Sequence, residues 1–191
     1  MIDPTIDVAE LAAQIHQWLG ESDADSPDRR RLLELARQAL NAGSDRLPEL
    51  RWSEGCLRVW GGWIVSVSEP AEDWRLPEEV VVGEPAEGDW GRLDWEAADD
   101  DPGLAPGTRL SCRASGEIES VTPLNRPQKS TNKWLQEMRI PPWWRRHLPV
   151  LWSETAPVWV LPAGPLIGAA DLDNNTVEPG LRPVWHLSSS L

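Results

Sequence analysis

Six cations, Arg126, Lys129, Lys133, Arg139, Arg145 and Arg146, fall between Arg126 and His147 against one acid, Glu137. This stretch is net +5 in a chain of net −13, which leaves −18 elsewhere. Trp134, Trp143 and Trp144 are interleaved with the charges. A basic island with aromatic residues on an acidic chain points to a localised polyanion contact. Guanidinium and ammonium groups neutralise phosphates and position a nucleic-acid backbone without reading bases. Arg126, Lys129, Lys133, Arg145 and Arg146 are the candidate RNA-binding residues, with His147 assisting. A blander alternative stays open on composition alone: the cations pair with the domain's own excess acids and form a solvated face.

Other chemistries find less support. There is no P-loop and no dinucleotide fingerprint, and Asn41-Ala-Gly-Ser44 reads as a helix C-cap rather than a phosphate cradle. Asp171–Glu178 suggests a calcium loop, but Thr176 replaces the required glycine and Arg182 stands where the bidentate glutamate belongs, so a turn is expected. Asn174-Asn-Thr176 is a glycosylation sequon without meaning unless secreted. Glu117 and Glu119, two apart on an expected strand, share a solvated edge rather than forming an acid–base couple. His16, His147 and His186 lack ligand spacing. No catalytic residue, metal or cofactor is therefore expected in this chain. Trp134 and Trp143 read as core; Trp144 is open between packing and base stacking.

The elements that must position the island follow from periodicity. Val8, Leu11, Ala12, Ile15, Trp18 and Leu19 keep helical spacing, with Gly20 as a stop. Ser26-Pro27-Asp28 predicts a second helix start, with the serine hydroxyl as cap, running to Gly43. Cys56–Trp60, Gly61-Gly62 and Trp63–Val67 predict a hairpin with a tight turn. Short strands are expected at Val80–Val82 and Arg92–Trp95, within an acidic stretch holding ten acids and one base between Glu78 and Asp101. Asp99–Gly103 reads as a solvated turn or linker. A strand at Thr108–Arg113 follows. Ser130 is expected to cap a helix to about Arg139 with Trp134, Leu135 and Met138 inward. A second short helix is expected after Pro141-Pro142, ending before Pro149. Val150–Trp152 and Val158–Leu161 predict a hairpin, and Pro183–Leu187 the last strand. The expected fold is α+β. A small helical domain with a hairpin (1–70) precedes an acidic Pro/Gly-rich linker with short strands (71–106) and a mixed, strand-rich C-terminal domain (107–191).

The quoted residues carry a resemblance. Lys129-Ser-Thr-Asn-Lys133, Trp134-Leu-Gln-Glu137, Ile140-Pro-Pro-Trp143 and Arg146-His-Leu-Pro-Val-Leu151 resemble the C-terminal domain of tRNA(Ile)-lysidine synthetases. The similarity is close over Arg126–Trp152 and weaker at Arg109–Glu117 and Val184-Trp185. Val8–Val67 is similar to the helical domain preceding it in bacterial members. Thr131 and Asn132 depart from the family pattern, standing where an apolar residue and a lysine are usual, which removes one phosphate contact. The resemblance implies a last domain similar to a module of the phenylalanyl-tRNA synthetase β subunit. It implies tRNA(Ile) as partner, held at the acceptor stem. It also implies that ATP and magnesium belong to a separate N-terminal catalytic domain whose Ser-Gly-Gly-x-Asp-Ser loop is missing here. The full enzyme converts the wobble cytidine to lysidine; this chain is expected to hold tRNA and not to catalyse alone.

The remaining composition bounds the setting. No apolar run has membrane-spanning length and Met1–Gly20 shows no signal pattern, so the expectation is cytoplasmic, with no membrane partner. Cys56 and Cys112 are read as thiols in a reducing compartment. Thirteen tryptophans accompany no Phe and no Tyr. That inventory reads as a recoded or designed sequence, with a compositional accident as the other explanation. A scaffold keeping the fold without RNA binding is thus the competing function, and the net charge of −13 supports it.

Overall fold

A computed structural model describes residues 2–21, 27–41, 46–53, 55–67, 75–98, 103–172 and 180–186. The chain divides into two compact units, Met1–Pro70 and Ala71–Ser190. Predicted features that fall wholly or partly outside the described residues include the Ser26 cap, the Asn41–Ser44 stop, the Asp99–Gly103 turn, the Asp171–Glu178 turn and the end of the Pro183–Leu187 strand.

In the first unit, α1 (Val8–Glu21) and α2 (Arg29–Asn41) pack on a three-stranded antiparallel sheet. Its strands are β1 (Glu49–Trp52), β2 (Gly55–Trp60) and β3 (Trp63–Ser66). The helices begin at aspartates. Asp7 Oδ1 accepts from the amides of Ala9 and Glu10 at 2.7 and 2.9 Å. Asp28 Oδ1 accepts from those of Arg30 and Arg31 at 2.9 and 3.1 Å. Asp28 is therefore the cap of α2, two residues later than the sequence suggests. Leu11, Ile15, Leu32, Leu35, Leu50 and Leu57 close the core, the period-3.6 stripes meeting the inward face of the sheet. Trp18 lies outside that stripe, 40% exposed. The β2–β3 turn uses Gly61 and Gly62 at φ of 57° and 80°, the conformation that closes a two-residue hairpin with the strand twist.

The second unit is built on antiparallel sheets. A five-stranded sheet has the order β12-β11-β10-β7-β4, where β4 is Glu79–Val81, β7 Arg109–Ala114, β10 Pro149–Trp152, β11 Pro157–Val160 and β12 Gly164–Pro165. A three-stranded sheet joins β13 (Leu181–His186), β6 (Gly91–Ala97) and β5 (Ala86–Gly88). A two-stranded ladder pairs β8 (Ser120–Val121) with β9 (Lys129–Ser130). Helices α3 (Thr131–Glu137) and α4 (Ile167–Leu172) complete the α+β architecture.

Strand alternation divides this unit's core. Paired Leu151 and Trp159 join Val80, Leu93, Leu104 and Leu110 in one cluster; paired Val150 and Val160 join Val121, Trp134, Leu135 and Leu148 in another. The acidic stretch contributes fully to the first: Val80, Val82, Trp90 and Leu93 are buried there while Glu79, Glu84, Glu87 and Asp89 face outward. Two close approaches fix the edges. A Cβ on Gly91 (φ +114°) would stand 2.2 Å from the His186 carbonyl oxygen, and one on Gly103 would stand 2.3 Å from Gly180 Cα.

Candidate nucleic-acid interface

The interface is organised by α3. Its inward residues Thr131, Trp134 and Leu135 are buried, and Asn132, Lys133, Gln136 and Glu137 form its exposed side. Ser130 holds the N-cap position, but its hydroxyl makes no capping hydrogen bond. The β8–β9 ladder fixes that end instead, with Ser120 opposite Ser130 and the Thr131 amide donating to the Glu119 carbonyl at 3.0 Å.

The other end closes in a Schellman motif. Arg139 N–H donates to Gln136 O at 3.0 Å and Ile140 N–H to Leu135 O at 2.9 Å, with Arg139 at φ 57°. This early closure turns Met138 outward, 39% exposed, against the inward placement its spacing suggests. Residues 142–147 then form successive turns and not the expected second helix. Pro149 has no N–H to meet the Arg145 carbonyl, which accepts instead from Ser115 Oγ at 2.8 Å; the Arg146 carbonyl accepts from the Gly116 amide at 3.0 Å. Ser115–Glu117 is a single 3₁₀ turn, so Glu117 and Glu119 do not share a strand.

The cations meet on the outer side of α3. Lys129 Nζ lies 2.7 Å from Glu137 Oε2. The hydrogen bond from Lys129, helped by the charges of Lys129, Lys133 and Arg126, holds the Glu137 carboxyl below the usual glutamate range against an opposing desolvation. Lys129 thus contacts this carboxylate, and the charges of Lys133 and Arg126 act on it. Arg145 approaches from the turn segment: its Nε donates to the Ile140 carbonyl at 2.8 Å and its Nη1 is 3.5 Å from Asn132 Oδ1. Burial lowers its pKa. Arg126, Lys133 and Arg146 are exposed and make no ion pair among the described residues. His147 is half-buried, its amide bonded to the Trp144 carbonyl at 2.9 Å. Lys133 lies on α3, Lys129 and Arg145 contact its side chains, Arg126 acts on Glu137 through its charge, and Arg146 and His147 sit on the neighbouring turns.

The aromatic residues serve mainly as support. Trp134 is 2% exposed. Trp144 packs edge-on against Trp185, ring centroids 6.4 Å apart. Arg113, which the sequence reading passed over, stacks its guanidinium 4.6 Å from the Trp152 ring centroid. Only the β7–β10 register, with Arg113 opposite Val150, reveals that contact. Thr131 explains one departure in the motif: its position is interior, and its Oγ1 is buried without a hydrogen-bond partner in the described structure.

Comparison with known proteins decides the family. Residues 5–65 match the TilS substrate binding domain and residues 110–182 the TilS substrate C-terminal domain. The chain belongs to the tRNA(Ile)-lysidine synthase family. Over 185 residues it is 30% identical to the tRNA(Ile)-lysidine synthase of Azoarcus sp. (strain BH72), covering 93% of this chain and 39% of that protein. The Chromobacterium violaceum synthase is 29% identical over 180 residues, 88% of this chain and 38% of its own length. The Alkalilimnicola ehrlichii synthase is 32% identical over 153 residues, 72% of this chain and 32% of its own. The chain spans about two fifths of the first two relatives and matches both substrate-side domains of the lysidine synthase family. Among the described residues no cluster of three or more His, Cys, Asp or Glu could hold a metal, and no helix is long and apolar enough to cross a membrane.

Proposed function

We propose that this chain is the tRNA-recognition portion of a lysidine synthase, holding the acceptor stem of tRNA(Ile) on the outer face of α3. The supporting observation is the Lys129–Glu137 contact, with Lys133 exposed on the same helix, Arg145 beside Asn132, and the charges of Arg126 and Lys133 acting on Glu137. An A-form stem is recognised by shape, phosphates and 2′-hydroxyls, for which a rigid, core-anchored cationic face is suited. ATP-dependent lysidine formation in this reading belongs to the family's catalytic domain, and the setting is the cytoplasm. Three to five phosphate contacts give a log–log salt slope of about −2 to −4 for tRNA binding. Titration of tRNA(Ile), and separately of its acceptor-stem and anticodon-stem duplexes, at low and moderate salt tests this. Equal affinity for the two duplexes removes the acceptor-stem assignment. No binding at low salt removes the reading altogether and leaves the competing one, a scaffold without RNA binding, which the Lys129–Glu137 pair favours.

A further inference from the structure

The sheet of the first unit has one guarded edge and one open edge. Its strand order is β1-β2-β3, so β1 and β3 are the edges. Glu49 and Arg51 stand exposed on β1, and the Arg31 guanidinium donates to the Arg51 carbonyl, which blunts that edge. Strand β3 reads Trp63-Ile-Val-Ser66 and carries neither charge nor proline. The register shows which of its groups point outward. Ile64 lies opposite Val59, yet the Val59 amide donates to the Pro48 carbonyl at 2.9 Å, away from β3. The Val67 amide donates across to the Cys56 carbonyl at 2.8 Å. By the alternation of an antiparallel ladder, Ile64 and Ser66 turn their N–H and C=O groups away from β2.

A groove lies between this edge and α1. Leu11, Ile15 and Ile64 form its apolar floor. Glu10, Gln14 and Trp18, at i, i+4 and i+8, form an exposed rim about 12 Å long, the span of about four residues of extended chain. Asp3 and Trp63, the latter 54% exposed, also line it. The Thr5 amide and hydroxyl donate to the Asp3 carboxylate at 2.8 and 2.7 Å and hold it below the usual carboxylate range. No Lys or Arg is among the described residues of the lining.

We propose that this groove docks an extended segment of a partner protein, apolar at alternate positions and bearing lysine or arginine, which adds a strand to β3. Backbone bonds to Ile64 and Ser66 supply the pairing, and the floor takes the apolar side chains. Charge complementarity names the occupant. Asp3 and Glu10 attract a cationic segment, whose ammonium or guanidinium groups also gain from the faces of Trp18 and Trp63. The same acids repel phosphates. A second copy would set its own Asp3 and Glu10 against these, in a chain of net −13.

Calorimetric titration of the full chain with an acetylated, amidated hexapeptide of alternating valine and lysine tests this. Saturable binding is expected. The valine–glutamate counterpart, and the lysine peptide N-methylated at alternate amides, should each bind about tenfold more weakly or worse. Ser66→Pro removes an outward N–H from an exposed residue and leaves the β2 ladder intact, so it should weaken the lysine peptide about tenfold. Glu10→Gln should weaken it about threefold and flatten its salt dependence. Thermal melts establish that both variants fold; if Ser66→Pro does not, Glu10→Gln and the methylated peptide decide. Unchanged tRNA binding in the variants beside lost peptide binding supports a protein site. The proposal is overturned if the lysine peptide does not bind, or binds the folded variants as it binds the unaltered chain. A dimer of the unaltered chain that Ser66→Pro dissociates in sedimentation would give the edge to a second copy and overturn it. Loss of tRNA binding in folded Ser66→Pro or Glu10→Gln would give the surface to RNA, with the same result.

Discussion

Lys129 and Glu137 meet at 2.7 Å across eight residues, one from the end of a two-stranded ladder and the other from the last turn of α3. The contact joins the loop to the helix and removes one cation from service. Glu137→Gln is expected to free Lys129, tighten tRNA binding and steepen the salt slope by about 1. The sign with pH follows from the lowered Glu137 pKa. Its contribution to folding is complete above the ordinary glutamate range and is lost as pH falls through the depressed folded value. The wild-type acid limb of stability should therefore flatten in Glu137→Gln, as read by thermal melts across that range.

Lys133 and Arg145 are both candidates for phosphate contact, yet their substitutions should separate. Lys133→Ala touches nothing structural among the described residues, so stability should stay within about 0.5 kcal/mol while the salt slope falls by about 1. Arg145→Ala also loses the bond to the Ile140 carbonyl that pins the turn segment. It should cost about 1 kcal/mol in addition to RNA affinity. Denaturant unfolding beside tRNA titration distinguishes the two.

Thr131 is the family's apolar position occupied by a hydroxyl. The residue is 3% exposed and Oγ1 has no partner in the described structure. Thr131→Val keeps the shape and removes the stranded group, so it should raise stability by about 1–2 kcal/mol. A midpoint shift in urea without a change in slope checks this.

Cys112 supplies an alkaline signature. Burial pushes its thiol up to about 12 from an ordinary 9.0. A group whose folded pKa is raised stabilises fully below its unfolded value and loses that contribution as pH rises toward the folded one. Stability should thus decline between 9.0 and about 12. Cys112→Ala should remove this portion of the decline, and native Cys112 should react with thiol reagents far more slowly than in the unfolded chain. An unchanged pH profile in Cys112→Ala would contradict the assignment.

Much of the fold was legible because long amphipathic patterns leave little choice. The stripes of α1 and α2 and the double-glycine hairpin are written in residue spacing. Strands of two or three residues, such as β5, β8, β9 and β12, carry no period and become strands only through their partners. The second helix expected after Pro141 fails because Ser115 and Gly116, from a distant turn, take the carbonyls it would need. The basic island could be read because its charges are contiguous. The pairing of Lys129 with Glu137 could not, since the two meet only once α3 and the ladder are folded.

Strands β6 and β13 align Leu93 with Trp185 and Arg92 with His186, segments about ninety residues apart in the chain. Such distant pairing makes this sheet a late and slow event during assembly. A ribosome must release the final strand before β6 can acquire that neighbour, so until then β6 presents a bare edge to the cell.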